Sequence, residues 1–170
     1  MDKDDKKLSE IRKLLDSAES NVKAAKRILF EQLYQEQADL LESVDDGKNT
    51  IIEGIFDGTE MIDKFGKKYP VQQNYSSKSK LVPGDKLKLT IAPDGTFVFK
   101  QIGPIERKRL IGKLVRAGDS WQVNCEKQKY NVLQASVTYF KAKENNKITI
   151  IVPKTGESEW AAIENLLEKN

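Results

Sequence analysis

The side chains able to do chemistry in this sequence are few, and two absences narrow the choice. Among 170 residues there is no histidine, and Cys125 is the only cysteine. Lack of histidine removes the usual general base at neutral pH, the Ser–His and Cys–His nucleophile pairs and the commonest transition-metal ligand. One cysteine excludes an internal disulfide and any cysteine-cluster metal site. The glycine-containing segments 54–58 and 66–68 lack the lysine-serine/threonine ending of a phosphate-binding loop. Carboxylates are scattered, and Asp57, Asp94 and Asp119 sit where turn geometry alone explains them. Cys125 beside Lys127 and Lys129 resembles a reactive thiol, but a small, partly buried strand residue is the expected role. Trp121 and Trp160 are expected as core anchors. The expectation is a protein that is not an enzyme, with no catalytic residue, no metal site and no cofactor.

A binding surface is easier to assemble. Lys78, Lys80, Lys86 and Lys88 fall near Tyr75, Phe97, Phe99 and Lys100, and Arg107, Lys108 and Arg109 follow in a run. Aromatic rings on adjacent strands beside lysines make a stacking platform for single-stranded nucleic acid, and the arginine-lysine run adds phosphate contacts. The competing reading places Phe97 and Phe99 in a core, turns Val98 outward, and lets the lysines protect strand edges from aggregation.

Charge is uneven along the chain. Residues 1–47 hold 8 Lys/Arg against 12 Asp/Glu; of the chain's 29 basic and 26 acidic residues this leaves 21 against 14 in residues 48–170. An acidic helix joined to a basic β region favours head-to-tail contacts or a polyanionic partner. The charged start does not read as a secretory signal, and no run approaches the roughly 18 apolar residues of a membrane span. A cytoplasmic location with no membrane partner is the default expectation.

Two kinds of element must carry these residues. Residues 6–44 contain neither Gly nor Pro and favour helix. Leu8, Ile11, Leu15, Ala18, Val22, Ala25 and Leu29 recur in steps of three and four, a heptad seam with Leu8, Leu15, Val22 and Leu29 at a positions. Beyond Leu29 the step of four to Leu33 reads as a stutter. Such a helix extends roughly 60 Å at 1.5 Å per residue, too long to lie wholly on a small β-domain. Self-association through Leu8, Ile11, Leu15, Val22 and Leu29 is therefore expected, with Gly47 as the helix stop.

After residue 48 the period changes to two. Strands are expected at 51–56, 61–62, 69–71, 86–91 and 96–102, with Leu87, Leu89 and Ile91 inward. Turns fall at Asp57-Gly58, Pro83-Gly84-Asp85 and Pro93-Asp94-Gly95. Five short strands in so few residues suggest a small barrel of the OB or SH3 kind. The plan then returns 61 residues later. Tyr69-Pro70-Val71 meets Tyr130-Asn131-Val132, Leu87, Leu89 and Ile91 fall on Ile148, Ile150 and Val152, and Gly54 matches Gly112 with three residues inserted. The copies are expected to differ at the end, where Trp160, Ile163 and Leu167 share a helix face within residues 157–169. The expected fold is α+β: a long, coiled-coil-like helix in residues 1–47, a small OB/SH3-like β-barrel in residues 48–105, and a second in residues 106–170 ending in a short helix.

A heptad helix followed by tandem small barrels, with Leu81-Val82-Pro83-Gly84-Asp85 before a strand, resembles the N-terminal region of the bacterial proteasome-type ring ATPases. In that family the helices pair as coiled coils and the OB barrels form a ring platform that receives substrate. This sequence carries no nucleotide motif, so the resemblance implies a scaffold role alone. The stretch from Glu53-Gly54-Ile55-Phe56-Asp57-Gly58 through Gln101-Ile102-Gly103-Pro104 also looks like an uncharacterised bacterial family, which implies no function. Two functional expectations follow. One is an oligomeric interaction or scaffold protein presenting its barrels to a protein partner; the other is a nucleic-acid-binding or ribosome-associated protein.

Overall fold

The computed structural model describes residues 3–38, 43–45 and 47–167, and the chain divides into two compact units, 1–40 and 41–170. In the first, α1 (Lys3–Ala38) is a single helix with Asp4 and Asp5 in its opening turn, where carboxylates meet the positive end of the helix dipole. The unbroken run of helix formers accounts for its length. The helix stops before the predicted end at Gly47. Ser43–Asp45 is a strand, β1, pairing with residues 50–52 across a turn at Gly47, whose φ is +78°. Asp45 accepts the Gly47 N–H at 2.9 Å, so a hairpin replaces the expected helix stop. Residues 39–42, within the run expected to be helical, lie outside the described residues.

The second unit holds two antiparallel sheets, so the protein is of mixed α+β class. The first sheet contains β2 (Thr50–Phe56), β3 (Glu60–Asp63), β4 (Lys68–Pro70), β5 (Lys86–Ile91) and β6 (Phe97–Gly103), with α2 (Gln73–Lys78) between β4 and β5. The second contains β7 (Arg107–Ala117), β8 (Ser120–Asn124), β9 (Lys129–Val132), β10 (Lys147–Pro153) and β11 (Ala162–Leu166), with α3 (Gln134–Tyr139) between β9 and β10. Strand orders are β4-β3-β2-β5-β6 and β9-β8-β7-β10-β11, and β1 joins β2 on the first sheet. The two halves share one topology.

Their register agrees residue by residue. Gly54 pairs with Leu87 as Gly112 pairs with Ile148. A Cβ on Gly54 would lie 2.6 Å from Met61 Cγ and 2.7 Å from the Ile62 carbonyl; on Gly112 it would lie 2.5 Å from the Asn124 carbonyl. Both strands need a residue without a side chain where a neighbouring backbone crosses. After each short helix the chain exits through a lysine of positive φ, Lys80 at 50° and Lys141 at 51°. Each half then forms the same turn: Asp85 N–H donates to Val82 O, and Asn146 N–H to Lys143 O. Alternation along β5 and β10 buries Leu87, Leu89, Ile148 and Ile150 completely, in two separate cores. Each such side chain contributes about 1.5–3 kcal/mol.

The described part of the expected helix, residues 157–167, is not helical. Ala162–Leu166 is β11, paired with β10 through Ile150↔Ile163 and Ile151↔Ala162. The spacing of Trp160, Ile163 and Leu167 mimics a helix face, but a ladder to an otherwise open strand satisfies the backbone, and Ala162 and Ile163 are buried on it. The copies therefore resemble each other at their ends more than the sequence suggests. Free edges of the second sheet meet at one parallel bridge, Asn131↔Trp160, with Asn131 donating to the Glu159 carbonyl and accepting from Ala161. In the first sheet the rings of Tyr69 on β4 and Phe97 on β6 approach edge-on at 6.2 Å.

Only residues 104–106 between the halves lie outside strands, since β6 ends at Gly103 and β7 begins at Arg107. Between the halves, Val82 is buried with Ile151 and Ala162 in a small shared core. The Ser77 and Ser136 hydroxyls meet at 2.8 Å between α2 and α3. Gly58, with φ +119°, lies so near Trp160 that a Cβ would sit 2.4 Å from the indole Cγ.

Candidate partner-binding surfaces

On α1, heptad spacing fixes which side chains share a face, and Leu8, Ile11, Leu15, Val22 and Leu29 are each between 52% and 64% exposed. Leu14 and Ile28, which the seam assignment omitted, are equally exposed and widen the apolar face. Ala18 and Ala25 complete it as small, exposed residues. For Leu33 the backbone is helical and the side chain lies outside the described residues.

The predicted basic residues divide between the two sheets. On β5, Leu87 and Leu89 point into the first core, which turns Lys86 and Lys88 to the outer face. Phe97 and Phe99 stand opposite Ile91 and Leu89 in the β5–β6 register and share their inner side. Tyr75 stacks on Phe99 at 6.2 Å, and Phe99 and Tyr75 pack against the core. Rings and lysines thus occupy opposite faces of one sheet, because a strand's side chains alternate. Val98 faces outward, 56% exposed. A stacking platform built from Phe97, Phe99 and the β5 lysines does not assemble.

Several of the cations are already engaged. Lys86 Nζ lies 3.0 Å from Glu53. Arg107 donates to fully buried Asp85, an ion pair inside the fold. Arg109 Nε donates to Glu164 at 2.7 Å, and that hydrogen bond holds the Glu164 carboxyl below the usual carboxylate range, with the charges of Arg109 and Lys80 assisting. Lys78, in the last turn of α2, and Lys108 on β7 are exposed; Lys80 and Lys88 are half-buried. Arg107 is thereby withdrawn from the phosphate-binding set.

Asp85 has more partners than the turn signal suggested. Its carboxylate accepts from Val82 N–H at 2.9 Å, Gln101 Nε2 at 3.2 Å and Ile105 N–H at 3.1 Å in addition to Arg107. A buried carboxylate with four donors has its hydrogen-bonding demand met inside the fold. Burial raises the Cys125 thiol above its ordinary pKa, the opposite of nucleophilic activation. Among the described residues, no three His, Cys, Asp or Glu side chains cluster as a metal set, and no helix is long and apolar enough to cross a membrane.

One surface escaped the sequence reading. An open depression of about 720 Å³ runs along α2 and α3, lined by Gln72, Gln73, Asn74, Gln134, Thr138 and Tyr139. Gln73 Oε1 accepts the Ala135 N–H at 3.3 Å, and Gln134 Oε1 accepts the Trp121 indole N–H at 2.8 Å. Gln73 and Gln134 stand 61 residues apart, the repeat interval, which was the signal available in advance. The amides mainly fasten the helices to each other and to the core. Comparison of the chain with protein-family models, with curated proteins and with solved structures gives no match.

Proposed function

We propose that this chain is a non-enzymatic, cytoplasmic interaction protein that self-associates through α1 and presents its paired β-modules to a macromolecular partner. The observation that carries it is the α1 seam. Five large aliphatic side chains at heptad spacing stay more than half exposed on a helix of 36 residues. A surface of that kind is stabilised by covering it, since each buried methylene contributes about 0.8 kcal/mol. The β-modules suit the presenting role. Five antiparallel strands, a helix between the third and fourth, and sheet edges that approach each other agree with small, partly open barrels of the OB kind. The layout also fits the scaffold role implied by the resemblance to ring-ATPase platforms. Sedimentation velocity tests the reading. The full chain is expected to sediment as an oligomer and the Leu15→Glu/Val22→Glu variant as a folded monomer; a wild-type chain that stays monomeric at about 100 μM rejects it.

A second reading, nucleic-acid or ribosome binding, is favoured by one observation. Lys88 and Lys100 are direct partners across β5–β6, and like charges placed opposite are destabilising. A polyanion laid across that outer face relieves the repulsion. Binding of a labelled oligonucleotide would then fall steeply with salt; no shift at low salt removes this alternative.

A further inference from the structure

We propose that two copies of this chain pair their α1 helices antiparallel, centred between Asp16 and Ser17. The inference rests on the self-association reading above and specifies its geometry.

The first argument is volume. The seam alternates large a positions, Leu8, Leu15 and Val22, with d positions of which two are alanine, Ala18 and Ala25. In a parallel pair like meets like, so wide leucine layers alternate with Ala18 and Ala25 layers too thin to fill the same gap. Antiparallel pairing sets a against d. About this centre, Leu8 meets Ala25 of the second copy, Ile11 meets Val22, and Leu15 meets Ala18. These three layers each combine a larger with a smaller side chain, and Leu29 falls beside Asp4 where the paired seam ends.

The second argument is charge. The e positions Asp5, Arg12 and Glu19 alternate in sign and are all exposed. Antiparallel helices bring e positions together, and about the same centre Arg12 of one copy lies beside Glu19 of the other. The two-fold axis makes this contact twice. A parallel pair instead brings g to e and sets Lys7 beside Arg12, a like-charge contact. Volume selects the antiparallel orientation; charge selects the same orientation and, within it, the register, since a shift of one heptad would set Glu19 beside Glu19.

Cross-linking of the full chain tests this in a Cys125→Ser background. With Leu8→Cys and Ala25→Cys proteins, a disulfide-linked dimer is expected from the equimolar mixture and from neither protein alone. Self-linking of Leu8→Cys overturns the antiparallel arrangement while leaving association intact. If no linkage forms and the wild-type chain sediments as a monomer, both this arrangement and the self-association reading fail. If no linkage forms although the chain is oligomeric, this register alone fails. A charge exchange gives a second check. Arg12→Glu is expected to weaken self-association about ten-fold, as two surface pairs become repulsive, and Arg12→Glu/Glu19→Arg to restore it. No recovery in the exchanged variant also overturns the pairing.

Discussion

The two β halves make the same turn at equivalent places and stabilise it differently. In the first, Asp85 is buried and holds Val82 N–H, Gln101, Ile105 N–H and Arg107. In the second, neutral Asn146 performs the local part of that work, accepting from Lys143 N–H at 2.7 Å. The backbone around them is common. Phe56 N–H donates to Asp85 O and Leu114 N–H to Asn146 O, with Phe56 closing β2 and Leu114 lying within the longer β7. The turn itself therefore needs only an acceptor. The charge on Asp85 serves a second purpose, since Arg107 begins β7 and belongs to the other half. One copy of a duplicated turn has become the tie between both copies.

That contrast can be broken most sharply at Asp85. Asp85→Ala leaves the partly buried Arg107 guanidinium uncompensated, with its Nε already lacking a partner, and should destabilise the protein by about 3–5 kcal/mol. Asn146→Ala, which removes one hydrogen bond, should cost about 1 kcal/mol. Urea unfolding of both variants measures the gap; equal losses would mean the charge contributes nothing beyond the turn.

Next in size are the equivalent glycines. Gly54→Ala and Gly112→Ala both drive a methyl into backbone atoms nearer than 3 Å, and each should lose about 1–3 kcal/mol. Similar losses support the shared register, and a large disparity would show that one half yields where the other cannot.

The contact between the halves offers a finer probe. Ser77→Ala or Ser136→Ala alone strands a buried hydroxyl and should cost about 1–3 kcal/mol. The double variant should cost clearly less than the two losses added, and simple additivity in a thermal or urea cycle would deny the bond. Smallest of all is the effect at Cys125, whose half-buried thiol is raised by desolvation. Alkylation at pH 8 should run about ten-fold slower in the native protein than in urea, and equal rates would contradict that burial.

Much of this was legible in advance for identifiable reasons. The inward set Leu87, Leu89, Ile148 and Ile150 follows from spacing alone, because side-chain period reports a strand's buried face directly, and the helix of α1 follows from its run of helix formers. The six-residue helices α2 and α3 are too short to show a period. At residues 157–169 three apolar side chains fit a helix stripe, and only the open edge of β10 decides for a strand. Val44 ended the helical run by composition, yet pairs with Ile51 in a hairpin. Rings and lysines separate for a related reason. Proximity in sequence put Phe97, Phe99 and the β5 lysines together, while the pleat sends them to opposite sides. No local pattern links Asp85 to Arg107, 22 positions apart.

That link bears on how this molecule can be divided. A cut at 105/106 falls between two recognisable repeats, where a truncation would ordinarily be placed, and it would sever carboxylate from guanidinium. The leading fragment would keep an anion walled in without its counterion, and the trailing fragment would expose Ile151 and Ala162, which Val82 now covers. Two halves of one topology thus share a buried charge pair and an apolar seal, and a chain interrupted at this seam is expected to leave a stub more open to proteolysis than the whole protein.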